Sequence, residues 1–125
     1  MNINEYKLPV TELTFQPSSS DEGCYCGMFY STKLVAAPTL SATTLAKGCY
    51  KEMFASCTSL TTAPELPVTT LANDCYYGMF RSCTSLINGP TLPATILQPS
   101  CYQLMFYYAS NVSSVTCLAT DISAS

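Results

Sequence analysis

The chain has no histidine and no tryptophan among its 125 residues. Without histidine it lacks the side chain most often used as a general base and most often found on a metal. Charge is scarce too: charged residues make up 10% of the chain, well under the usual quarter or so. Five Lys and Arg against eight Asp and Glu leave a net charge of -3 and no basic run, so nothing electrostatic favours nucleic acid or an anionic membrane as partner. No apolar stretch approaches the roughly 18 residues of a membrane-spanning helix. The opening Met1-Asn2-Ile3-Asn4-Glu5-Tyr6-Lys7 lacks the charged-then-apolar layout of a signal peptide. These gaps point to a non-enzyme with no cofactor and no metal, either cytosolic or a segment of a longer secreted parent.

What the chain has is apolar bulk (48% of residues) and repetition. Cys-Tyr-x-x-Met-Phe occurs four times, at Cys24–Phe29, Cys49–Phe54, Cys75–Phe80 and Cys101–Phe106, with spacings of 25, 26 and 26. A second block recurs at Leu8–Leu13, Leu40–Leu45, Leu66–Leu71 and Leu92–Leu97, spaced 32, 26 and 26 because the first copy carries an insertion, the third copy reading Leu-Pro-Val-Thr-Thr-Leu. A third block joins them, Cys57-Thr58-Ser59-Leu60 and Cys83-Thr84-Ser85-Leu86, each followed by a proline at Pro64 or Pro90. Three co-periodic blocks mark tandem repeats. One domain over 1–125 follows: an irregular first coil (1–23) with a loop insertion at 14–23, repeats over 24–118, and a tail (119–125) that ends on small and polar residues and reads as a frayed terminus.

A unit this short cannot bury its own apolar face, but stacked copies can. The expected fold is a β-rich, leucine-rich-repeat-like solenoid of about four coils of about 26 residues, with short parallel strands and short helical or 3₁₀ turns. Apolar positions at Leu71, Cys75, Met79, Phe80 and Cys83 step by four, four, one and three, which suits one face of a short helix or 3₁₀ turn. Thr69-Thr70-Leu71 is β-branched and suits a second short strand. Core columns are expected at Leu34/Leu60/Leu86/Val112, Ala37/Ala63/Gly89/Val115, Leu40/Leu66/Leu92/Leu118, Leu13/Leu45/Leu71/Leu97, Cys24/Cys49/Cys75/Cys101, Met28/Met53/Met79/Met105 and Phe29/Phe54/Phe80/Phe106.

The Leu-Pro-x-Thr-Thr-Leu, Cys-Tyr-x-x-Met-Phe-x-x-Cys-Thr-Ser-Leu and Ala-Pro-x-Leu-Pro blocks resemble the repeats of the BspA-like leucine-rich-repeat surface proteins of bacteria. The resemblance runs from about Leu8 to Leu118. It implies a β-rich solenoid, exported to the cell surface as part of a longer parent, with adhesion or partner binding as its role. The matching residues are core positions, so the resemblance carries over no binding residue.

Each chemically suggestive group also has a plainer reading. The eight cysteines lack the CxxC pairs and histidines of zinc sites. Pairs eight apart, such as Cys49/Cys57, lie about 12 Å apart along a helix, beyond the roughly 7 Å Cα limit of a disulfide. Same-column neighbours are near enough, but side-by-side parallel residues seldom reach the required torsion. Cysteine as a small buried hydrophobe fits best. The Tyr25/Tyr50/Tyr76/Tyr102 column reads as rings packed coil on coil with hydroxyls outward. The Thr11/Thr43/Thr69/Thr95 ladder, with Thr44 and Thr70, reads as β propensity rather than an ordered ice-binding array. No acidic pair shares a column in adjacent copies, and Ser18-Ser19-Ser20 has no base to activate it. The sequon Asn111-Val112-Ser113 reads as incidental.

Specificity then falls to positions that vary between copies: Lys51, Glu52, Glu65, Tyr77, Arg81, Asn88, Gln103, Tyr107 and Tyr108, with Ile87 beside them. Two functions are expected of such a chain. One is a non-catalytic module binding a protein or glycan through one face. The other is a structural spacer that associates end to end, since an open ladder edge invites pairing.

Overall fold

The computed structural model describes Glu12–Leu13 and residues 21–124. Apart from the Glu12–Leu13 backbone, the opening repeat block and residues 14–20 of the insertion lie outside the described residues. Within the described part, residues 25 or 26 apart are immediate neighbours. Phe54 and Phe80 stack with ring centroids 5.8 Å apart and planes within 3°.

The Cys-Tyr-x-x-Met-Phe segments build one side of the stack. They form four successive ribbons of turns, at 23–31, 48–56, 74–82 and 100–108. In the second ribbon every other N–H closes a tight turn: Cys49 donates to Ala46, Lys51 to Gly48, Met53 to Tyr50 and Ala55 to Glu52. The alternate N–H groups reach the third ribbon instead, Tyr50 to Cys75, Glu52 to Tyr77, Phe54 to Met79 and Ser56 to Arg81. Five such bonds join each neighbouring pair of ribbons.

No helix or 3₁₀ turn forms at these segments among the described residues, contrary to the expectation from apolar spacing. The reason lies in the amides. A helix directs every interior N–H to its own chain, leaving none to hold a neighbour. The ribbon divides its amides evenly and repeats every four residues, so its apolar pattern mimics a helical one. Two residues face inward (Cys49, Tyr50), two outward (Lys51, Glu52), then two inward again (Met53, Phe54).

The geometry requires a left-handed residue at every fourth position. In the second ribbon these are Gly48, Glu52 and Ser56, with φ of 65°, 52° and 59°. Each occupies the third position of a turn, where a type II turn demands positive φ. Only four of the twelve such residues are glycine, and Leu104 (55°) and Tyr108 (58°) are neither glycine nor a small polar residue. A left-handed L-residue costs roughly 1–2 kcal/mol. The inter-ribbon bonds, at about 1 kcal/mol each, and the buried columns offset that strain.

Opposite the ribbons the chain makes short parallel contacts. β1 (Glu12–Leu13) pairs with β2 (Thr39–Leu40), and β3 (Asn88–Leu92) pairs with β4 (Ser114–Cys117). Single bridges Ala36–Thr62 and Thr62–Asn88 continue the line, so 36, 62, 88 and 114 align. Thr69-Thr70-Leu71 forms no strand, contrary to expectation. Pro90 sits inside β3, and the register slips between Asn88 and Thr91, so that Leu92 faces Cys117. Gly89 makes this approach possible: a Cβ there would lie 2.6 Å from Val115 Cγ2 and 2.9 Å from the Ser114 carbonyl.

Between the two sides lies the core, with Phe29, Phe54, Phe80, Met53, Met79, Leu60 and Leu86 fully enclosed. Two expected core residues are not in it. Val115 and Leu118 are 38% and 49% exposed, because among the described residues β4 has a strand neighbour on one side only and the register slip rotates Leu118 out of line. The 119–125 tail is not frayed over its first residues. Thr120 and Asp121 donate to the Thr95 carbonyl, and Leu97 donates to the Asp121 carbonyl.

Candidate interaction face

The outward pairs of each ribbon stack into a face of their own. Lys51 Nζ lies over the Tyr77 ring, 4.8 Å from its centroid, a cation–π contact between adjacent ribbons. Arg81 reaches back to Glu52, with Nη2 3.6 Å from Oε1. Gly78 permits this, since a Cβ there would lie 3.2 Å from Glu52 Cγ. Both charges are about 30% exposed (31% and 27%), so the pair is worth at most about 1 kcal/mol. Tyr107 and Tyr108 sit side by side, centroids 4.2 Å apart and 51° tilted. The hydrogen bond from Tyr108 holds the Tyr107 phenol above its ordinary value, and Arg81 opposes this.

Seven of the varied residues singled out from the sequence therefore lie on the ribbon side: Lys51, Glu52, Tyr77, Arg81, Gln103, Tyr107 and Tyr108. Glu65 and Asn88 do not join them. They line a shallow groove on the strand side with Thr61, Thr62 and Thr91, and Ile87 is exposed nearby. Tyr30 was not among the chosen positions, yet it occupies the same repeat position as Arg81 and Tyr107 and is 48% exposed. Aligning the copies on that one position would have found it.

The Cys75 and Cys83 thiols are inert. Burial pushes both up to about 12, so they stay protonated and unreactive at neutral pH. Two of the buried thiols hold adjacent units together: Cys57 donates to the Phe29 carbonyl at 2.9 Å and Cys83 to the Phe54 carbonyl at 3.0 Å.

The tyrosine column departs from expectation. Its rings stack at 5.5, 5.8 and 5.9 Å, but the Tyr76 and Tyr102 hydroxyls are buried without a hydrogen-bond partner. They point into the stack, and burial raises both phenols. In the sequon, Asn111 Nδ2 donates to the Thr84 carbonyl at 2.6 Å, so the nitrogen a glycan would take is already engaged. Among the described residues no group of three His, Cys, Asp or Glu side chains is placed to hold a metal, and no helix is long and apolar enough to cross a membrane.

No protein-family profile, no curated protein and no solved structure matches the chain.

Proposed function

We propose that this chain is a non-catalytic recognition module: a leucine-rich-repeat-like solenoid of the BspA-like kind, part of a longer cell-surface parent, that binds a protein or glycan through the outward face of its ribbons. The observation that carries the reading is the split within each ribbon. Inward positions repeat the same residues and are tied to both neighbours. Outward positions vary between copies, one column reading Cys26, Lys51, Tyr77 and Gln103 and another Tyr30, Ala55, Arg81 and Tyr107, and they gather Tyr30, Lys51, Tyr77, Arg81, Tyr107 and Tyr108 on one side. Tyrosine and arginine are enriched where proteins bind partners, and these residues are free to change without disturbing the stack. A glycan and host-protein array tests the proposal. Binding that is lost in a Tyr77→Ala/Tyr107→Ala/Tyr108→Ala variant supports it. Background signal throughout, or binding indifferent to the triple substitution, counts against it.

A second reading, end-to-end self-association, has its own observation. In the fourth ribbon the N–H groups of Ser100, Tyr102, Leu104, Phe106 and Tyr108 meet no acceptor among the described residues, whereas the equivalent N–H groups of the other ribbons each bond to the next. The carbonyls of Glu22, Cys24, Cys26, Met28 and Tyr30 accept no bond from a described residue. These donors form the same row that each earlier ribbon uses to hold the next, so a carbonyl row of the same spacing on a second copy would fit them, and a head-to-tail contact of this kind does not close. Sedimentation velocity over a hundredfold concentration range separates the readings: growing species favour stacking, and a constant monomer removes it.

A further inference from the structure

We propose that Cys24 and Cys49 form an oxidisable pair that clips the first ribbon to the second. Their sulfurs are 2.8 Å apart, closer than non-bonded sulfurs normally approach. Among the described residues no other neighbours in this cysteine column make a thiol–thiol hydrogen bond. Stacked ribbons lie about 5 Å apart, within the Cα range a disulfide accepts. Of the other buried thiols, Cys57 and Cys83 donate to main-chain carbonyls, and Cys75 and Cys101 make no thiol–thiol hydrogen bond of the kind that joins Cys24 to Cys49. Cys26 and Cys117 are exposed but have no thiol partner.

Accessibility sets the order of events. Cys24 is half-buried and Cys49 is buried, so a small-molecule disulfide meets Cys24 first. Its thiolate attacks one sulfur of the reagent, forming a mixed disulfide and releasing one thiol, which takes the proton. Cys49 then attacks the Cys24 sulfur, forming the Cys24–Cys49 bond and releasing the second thiol with the second proton. One disulfide is reduced and one is formed. Burial raises the Cys49 thiol, with the hydrogen bond to Cys24 adding to it, so the second step accelerates as pH rises.

The place in the stack gives the clip its use. Repeat arrays open from their ends, and among the described residues the first ribbon has a ribbon neighbour on one side only. A bond joining residues 25 apart closes a loop there and holds that ribbon in place.

The test uses the full chain, reduced and then incubated with oxidised glutathione, followed by proteolysis without reductant and mass spectrometry. The expected product is a Cys24–Cys49 linked peptide, with Cys26 and Cys117 carrying glutathione. The oxidised chain should melt several degrees above the reduced one, and Cys24→Ser should abolish both the linked peptide and the gain. Glutathione adducts without the linked peptide, or a dominant bond between other cysteines, overturns the proposal. So does a linked peptide with no change in melting, because the clip would then hold nothing. These outcomes are independent of ligand binding by the outward face.

Discussion

The two sides of this stack solve the same problem differently. On the ribbon side, every unit repeats one geometry, five hydrogen bonds join each pair of neighbours, and the stacked rings of the buried columns stay within 12° of parallel. On the strand side, contact between units is reduced in places to a single bridge, a proline interrupts β3, and the register slips. The ribbon tolerates little variation because inter-unit bonds, left-handed residues and buried columns all depend on the four-residue period. The strand side, held by fewer constraints, absorbs the mismatch when a unit changes size, as where Gly89 makes room for Val115. Stability is thus concentrated on one side and adaptability on the other.

The largest test of this contrast is Phe80→Ala. The ring is fully buried between Phe54 and Phe106, so its loss should cost about 3–5 kcal/mol, read by urea or thermal unfolding. An exposed strand-side residue such as Ile87→Ala should cost under about 0.5 kcal/mol. Equal losses would mean that the ribbon side is not the mechanical centre. Gly89→Val comes next. Its new Cβ meets the Ser114 backbone, and a cost of about 1–3 kcal/mol is expected from overpacking. Hydrogen exchange should confine the damage to β3, β4 and the 118–121 segment, leaving amides of the second and third ribbons protected.

Alkaline unfolding sharpens the same comparison, because the raised thiols belong to the ribbon columns. Cys75 and Cys83 move from an ordinary 9.0 to about 12 in the folded chain. Their unfolded forms ionise first, so above pH 9 the unfolded state binds fewer protons and stability falls. The contribution is intact below pH 9 and is lost progressively between pH 9 and 12. A melting temperature flat from pH 6 to 8 and declining from 9 upward is the expected profile, and Cys75→Ala should flatten the decline.

Much of this was legible in the residues, and some was not. The period, the neighbour relation of Phe54 and Phe80, and the separation of repeated from varied positions follow from counting. The ribbon did not, because a four-residue amphipathic period and a helical one share the steps seen from Leu71 to Cys83. The missed clue was the recurrence of glycine at Gly23/Gly48 and Gly27/Gly78, four residues apart, which marks left-handed positions that a helix does not need. The same columns hold Asp74, Ser100, Glu52 and Leu104, which hid the requirement. The candidate face was half legible: variation between copies picked out its residues, but only the inward and outward pairing of the ribbon shows that Glu65 and Asn88 lie elsewhere.

The smallest predicted effect tests that hidden requirement directly. Leu104 holds φ of 55° and is 37% exposed, while Gly27 and Gly78 occupy the same repeat position. Replacing it with glycine relieves roughly 1–2 kcal/mol of left-handed strain. The greater freedom of glycine in the unfolded chain takes back about 0.5–1 kcal/mol, and some apolar contact is lost. Leu104→Gly should therefore be neutral or stabilising by about 0.5 kcal/mol, whereas Leu92→Gly, buried in β3, should lose about 3 kcal/mol or more. Paired urea titrations read both. A Leu104→Gly variant as damaged as Leu92→Gly would mean that the leucine side chain, and not the backbone period, holds the fourth ribbon in place.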